Sequence, residues 1–253
     1  HVHNLTTDMS TSNAFGMPAY DGVAYRSGNG NTVLHMVGPE NHFFMSLNAS
    51  GFGATSLGTA GNFTGIALGP VTAGTPSYVM LVRNDSPQVI VSDADGTTIG
   101  SVPAAAFAGG AWPANPVSAA FGPDPEKVLV VLEDGQVVFG AWTPSADQNA
   151  ASVSIVDPGD PEDEPRFLRC FEHSSDLSVC ALARFGSDEV AIFEVTETTA
   201  TLVAEVTVGD GPVDVGVIAE SQDTVLIAVP GFNDGSFTLL RYTPLNNEAT
   251  TVG

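Results

Sequence analysis

Short runs of β-branched and aromatic residues recur along almost the whole chain, separated by clusters of Gly, Pro, Asn and Asp. Thr32 to Val37, Tyr78 to Val82, Lys127 to Leu132, Glu189 to Val195 and Thr224 to Val229 are the clearest. Runs of this length, bounded by turn residues, predict strands rather than helices. The one stretch of helix-like composition, Pro103 to Gly109, is Ala-rich but held between Pro and Gly-Gly, so it reads as a loop or a single turn.

The runs fall into a repeating unit. A strand of small residues comes first, then a very apolar strand, then a mixed strand and a weaker last one. The small-residue strands contain Ala24, Ala67, Ala120, Cys170 and Val217, spaced 43, 53, 50 and 47 residues apart. A period of about 40–50 residues with four strands per unit is the signature of propeller blades. An innermost strand lining a crowded axis requires small side chains. A second strand buried on both faces reads as continuously apolar. Five units fit, at about 21–57, 62–102, 116–156, 166–208 and 213–252. The predicted fold is therefore an all-β single domain over 1–253, a propeller of about five four-stranded blades. One or two β-sandwiches are the competing architecture. Residues 1–20 fall outside the five units and are expected to close the ring against the last blade, whose final strand, 248–252, is short and poorly apolar.

Asn115 to Asp124, followed by Val128 to Val131, resembles a β-propeller repeat of the YVTN or WD-repeat kind, and Gly211 to Val215 with Thr224 to Ala228 is a looser copy. The resemblance extends as a pattern over roughly 20–250. No Trp-Asp dipeptide ends a strand, so the chain departs from the standard WD repeat. The resemblance implies a recognition scaffold more often than an enzyme, and identifies no functional residue.

Composition narrows the setting. The chain has 253 residues, a net charge of −22, and only 14% charged residues. Residues 1–120 carry six acids and two Arg, and 121–253 carry 23 acids and five bases. So acidic a surface repels phosphate, which argues against nucleic acid and against an anionic membrane. No apolar run reaches membrane-spanning length, so no membrane insertion is expected. No basic, apolar leader opens the chain, which reads as a secreted protein after processing. Four N-x-S/T sequons, at Asn4, Asn48, Asn62 and Asn84, favour the same route and are candidate glycosylation sites.

Candidate chemistry is sparse. Cys170 and Cys180 flank a turn-like His173-Ser174-Ser175-Asp176 and are expected to face each other across a hairpin as a disulfide, worth about 2.5–3 kcal/mol by loop entropy. Asp157, Asp160, Glu162, Asp163 and Glu164 place five carboxylates in nine residues, interrupted by three prolines. This is either a solvated connection between blades or a candidate metal site, with calcium the cation such oxygens suit. No other cofactor is indicated. Asp93-Ala94-Asp95-Gly96 begins like a calcium loop but reads better as a hairpin turn, like Asp134-Gly135 and Asp234-Gly235. His1-Val2-His3 could chelate copper through a free amino terminus, although it reads more simply as a processed end. His35 and His42 fall in adjacent predicted strands as packing or surface residues. There is no G-x-S-x-G, and Asp214 is the only acid within a predicted innermost strand. The expected function is a non-catalytic extracellular module that binds a protein or glycan, or a structural subunit of a surface assembly. The alternative is a secreted hydrolase or lactonase-like enzyme with a metal held by channel carboxylates.

Overall fold

The computed structural model describes residues 2–4, 9–11, 21–26, 31–38, 41–48, 51–69, 71–72, 75–76, 78–83, 85–93, 97–107, 110–144 and 153–252. Most of them lie in antiparallel sheets. Blade 1 is formed by Asp21–Arg26, Thr32–Val37, Asn41–Asn48 and Gly51–Ala60. Blade 2 contains Phe63–Leu68, Val79–Arg83, Gln88–Ser92 and Thr98–Val102, and Thr143–Pro144 from the next blade adds a short fifth strand at its edge. Blade 3 is Pro116–Phe121, Lys127–Leu132, Val137–Ala141 and Val153–Asp157. Blade 4 is Pro165–Ser174, Leu177–Arg184, Glu189–Thr196 and Ala200–Thr207. Blade 5 is Gly216–Ala219, Val225–Pro230, Phe237–Thr243 and Glu248–Thr251. Ala104–Ala106 is a single 3-10 turn.

The packing explains why the second strands are so apolar. In blade 2, Val79 and Leu81 join a cluster with Val37 of blade 1, while Met80 and Val82 face Phe121, Val128 and Val130 of blade 3. In blade 3, Leu129 and Val131 point the other way, onto Leu182 and Phe193 of blade 4. In blade 4, Val179, Ala181 and Ala183 meet Val225, Ile227 and Val229 of blade 5. The second strands of blades 2, 3 and 4 are thus each the middle of a stack, and alternation of side chains feeds two interfaces at once. Each fully buried Val or Leu in such a stack contributes about 1.5–3 kcal/mol.

The two end blades differ. In Val225–Pro230 burial alternates: Val225, Ile227 and Val229 are buried, while Leu226, Ala228 and Pro230 are half-buried. The register places Ile218 opposite Leu226, Leu239 opposite Ala228 and Phe237 opposite Pro230, so these residues share one face. Ile218 is 59% exposed and Phe237 60%. In blade 1, Leu34 and Met36 are likewise half-buried beside buried Val33, His35 and Val37. Among the described residues, no buried apolar cluster joins blade 5 to blade 1.

The expected ring-closing segment lies largely outside the described residues. Within it, Val2–Asn4 pairs with Met9–Thr11, and the sheet of blade 5 consists of its own four strands.

Candidate functional site

The inner strands bring a charged cluster to the axis of the array. Arg169, in the inner strand of blade 4, reaches across to Asp21 at the start of blade 1. Its Nη2 donates to Asp21 Oδ1 at 2.7 Å and its Nη1 to Oδ2 at 3.3 Å. The Asp21 carboxylate also accepts from the Ile66 backbone N–H of blade 2, at 3.1 Å, and from the Gly22 N–H, at 2.8 Å. Asp214, entering blade 5, lies 3.6 Å from Arg169 Nε. The guanidinium stands 4.9 Å over the ring of Phe167. One cation and two carboxylates therefore tie blades 1, 2, 4 and 5 together. Desolvation raises the pKa of Asp214 above its ordinary value, against the opposing pull of Arg169 and the Val215 N–H.

Beside this cluster is a cavity of about 500 Å³ between the inner strands of blades 2, 3 and 4, with Phe121, Arg169, Cys170, Glu172 and Ser178 in its wall. Small residues, Ala67, Gly69, Ala120 and Gly122, leave the space open. The volume suits a small molecule. The Cys170–Cys180 disulfide is present, joining directly opposed residues of the first two strands of blade 4 with a Cα–Cα distance of 4.0 Å.

The acidic connection goes elsewhere. Asp157 ends the outer strand of blade 3, and Asp160 caps a 3-10 turn, Pro161–Asp163, by accepting from the Glu162 N–H at 2.9 Å. Asp157 and Asp163 are both buried, and both face Arg184 of blade 4, which is itself 3% exposed. Arg184 also pairs with the more exposed Glu205. Glu164 turns outward to Arg166 at 3.0 Å. The carboxylates do gather round a cation, and that cation is a guanidinium. Glu162 is exposed and outside this group. Among the described residues, no three His, Cys, Asp or Glu side chains are arranged to hold a metal ion.

Of the sequons, Asn84 lies outside the described residues, and Asn4 and Asn48 fall in strands. Asn62 is half-buried, with its Oδ1 shut from solvent. His35 and His42 are not surface residues: both are fully buried and stacked, with His35 Nδ1 3.1 Å from His42 Nε2. Burial lowers each imidazole to about 4, in His42 with added repulsion from His35. His1 and Asp95 lie outside the described residues, and so does the side chain of His3.

Sequence reasoning missed Asp21, Arg169 and Arg184. Their partners are separated by 148, 27 and 21 residues, and no local spacing announces such pairs.

No protein-family model and no curated protein sequence matches the chain. Solved structures do match its fold. A functionally unknown protein from Desulfotomaculum acetoxidans superposes with a TM-score of 0.66 at 11% identity, covering 94% of this chain and 70% of that one. A 6-phosphogluconolactonase-like protein of Bacteroides uniformis gives 0.59 at 11% identity, over 88% of this chain and 66% of that one. The β-propeller domain of Cps50 (Swd1) from Myceliophteria thermophila gives 0.57 at 12% identity, over 90% and 74%. The fold is a β-propeller with five four-stranded blades, and the chain spans about two thirds to three quarters of the length of these structures. Identities this low show the fold alone. No helix among the described residues is long and apolar enough to cross a membrane.

Proposed function

We propose that the chain is a non-catalytic extracellular binding module, with the uncovered face of blade 5 as its docking surface for a protein partner. The observation that carries this reading is the run of Ile218, Leu226, Leu239 and Phe237 on one sheet face, with Ile218 and Phe237 more than half exposed. A soluble fold seldom leaves large apolar side chains contiguous and open unless a partner covers them. Arg241, opposite Leu226 in the register, pairs with Glu220 and adds a polar contact to the same face. The disulfide and the sequons support an extracellular setting, with glycosylation at one or more of Asn4, Asn48, Asn62 and Asn84.

The channel supports binding better than catalysis. Asp21 and Asp214 are both engaged by Arg169, whereas metal-assisted hydrolysis in a propeller needs acids or imidazoles free to converge on one point. Calcium at the acidic connection would have to compete with Arg184 for Asp157 and Asp163.

The test is a screen against arrayed extracellular proteins and glycans, run with wild type and with Phe237→Glu and Ile218→Glu. Binding of a protein that is lost in both variants, with melting temperature unchanged, is the expected result. Binding to glycans alone moves the site away from this face. A stoichiometric metal by elemental analysis, together with turnover of a lactone or glycoside, overturns the reading.

A further inference from the structure

The Cys170–Cys180 bond lies radially in blade 4. Cys170 is on the inner strand, beside the channel, and Cys180 is its register partner on the second strand, one position further from the axis. Cys170 is half-buried and forms part of the cavity wall. Cys180 is fully buried among Leu129, Leu168 and Leu182. The line from Cys180 through Cys170 therefore points toward the cavity. That is the direction from which a nucleophile must come to displace Cys180 from Cys170, because the attacking atom approaches opposite the leaving sulfur.

We propose that the channel cavity is a site of reversible thiol exchange, in which a small aminothiol attacks Cys170 and remains there as a mixed disulfide. The step balances without another reagent. The incoming thiolate forms a bond to Cys170 Sγ as the Cys170–Cys180 bond breaks. The electron pair leaves on Cys180 Sγ, which takes up the proton the incoming thiol has lost. The small thiol is oxidised to the mixed disulfide and Cys180 is reduced to a thiol. An apolar surround disfavours the Cys180 thiolate and favours that protonation.

Two further features support the assignment. The strands stay joined without the cross-link, because Arg169 pairs with Ala181 and Phe171 with Val179 on either side of it. Exchange therefore needs no unfolding. The charge at the site selects among thiols. The positive charge of Arg169 is taken by Asp21 and Asp214, and Glu172, two residues from Cys170, adds another carboxylate to the cavity wall. The balance is negative, so a cationic thiol is drawn in and an anionic one repelled.

The experiment compares cysteamine with 2-mercaptoethanesulfonate, a cationic and an anionic thiol of similar size. The folded, oxidised protein is treated with each at low ionic strength. The reaction is quenched by acid, and free thiols are alkylated under denaturing conditions before peptide mass spectrometry. The expected product carries cysteamine on Cys170 and the alkyl group on Cys180. Its rate of formation should exceed that with mercaptoethanesulfonate by at least tenfold, and Glu172→Gln should narrow the ratio several-fold. Single-cysteine variants provide a second measurement. Cystamine should label Cys170 in Cys180→Ser while leaving Cys180 in Cys170→Ser unmodified, each variant first shown to melt cooperatively. A mixed disulfide on Cys180, equal rates for the two thiols, or exchange that starts only at denaturant concentrations that unfold the protein would each overturn the proposal.

Discussion

Replacing Arg184 by Ala tests whether blades 3 and 4 are locked by charge. The guanidinium is buried between Asp157 and Asp163, whose side chains are 8% and 12% exposed, with Glu205 at 47% on the outer side. Removing the cation leaves two buried carboxylates facing each other without compensation. Breaking a buried pair by deleting one partner costs about 3–5 kcal/mol, most of it the desolvation of the orphaned charge. The exposed Glu205 adds little, since solvent screens it. For a chain of this size each kcal/mol corresponds to roughly 2–4 °C, so the melting temperature should fall by roughly 6–20 °C. The structure adds a sharper expectation. Arg184→Ala vacates a space bordered by three carboxylates, an environment suited to a divalent cation. Calcium at millimolar concentration should therefore restore part of the loss in the variant while leaving wild type nearly unmoved. Differential scanning calorimetry of both proteins, with calcium and with chelator, measures this. A neutral triple variant, Arg184→Met with Asp157→Asn and Asp163→Asn, should recover much of the stability, because no buried charge is then left unpaired. An Arg184→Ala midpoint within about 3 °C of wild type, or calcium shifting both proteins equally, would refute the reasoning.

The remaining predictions concern other places in the fold. Stability should fall as pH drops from about 6.5 to about 4, because His35 and His42 are held neutral in the folded state and protonate first in the unfolded chain; the loss is on the order of 3 kcal/mol per ring, and a His35→Leu/His42→Leu variant should show a much flatter slope in urea unfolding across that window. Asp21→Ala removes an acceptor shared by Arg169 and the Ile66 N–H, and should cost about 2–3 kcal/mol in the same assay, with a cost under about 0.5 kcal/mol counting against a channel clamp. Gly159→Ala should destabilise by more than about 2 kcal/mol, since its φ is +67° and a Cβ would stand 2.0 Å from the Gly135 carbonyl carbon; Gly235→Ala, at φ +66° with open space around it, should cost only about 1 kcal/mol.

What could be read from the chain, and what could not, follows from the range of each interaction. The propeller was legible because its geometry acts on each strand separately. An inner strand must be small, as in Ser118-Ala119-Ala120, and a second strand packed on both faces must be apolar throughout, as in Val128 to Leu132. Four-stranded meanders repeat these demands every 43 to 53 residues. The disulfide was legible for a similar reason, since a short turn brings its two residues into register. The acidic connection was half legible: five carboxylates in nine residues announce a cation, but nothing local says that Arg184, 21 residues beyond Asp163, will be that cation. Arg169 and Asp21, 148 residues apart, lay beyond any local pattern. For His35 and His42 the sequence left packing and surface roles both open, and it is the structure that decides for packing, stacking the two buried rings in one interior contact between neighbouring strands.

The same distinction bears on function. Interactions within a blade are repeated and so leave a statistical trace, whereas the features that distinguish this propeller are single contacts between blades. Arg169 spans the axis once, Arg184 locks one seam once, and the disulfide opens onto one cavity. The second strand of blade 5 alternates Val225, Ile227 and Val229 with Leu226, Ala228 and Pro230, the pattern of a strand with one packed side, which Thr32–Val37 of blade 1 shares, where blades 2, 3 and 4 show strands packed on both. A second strand that keeps apolar residues on its open side retains the composition of a middle blade without a described neighbour to pack on. That mismatch between composition and burial is the observation on which the proposed docking surface rests. The two substitutions that test it, Phe237→Glu and Ile218→Glu, lie on that uncovered side and should leave the fold intact.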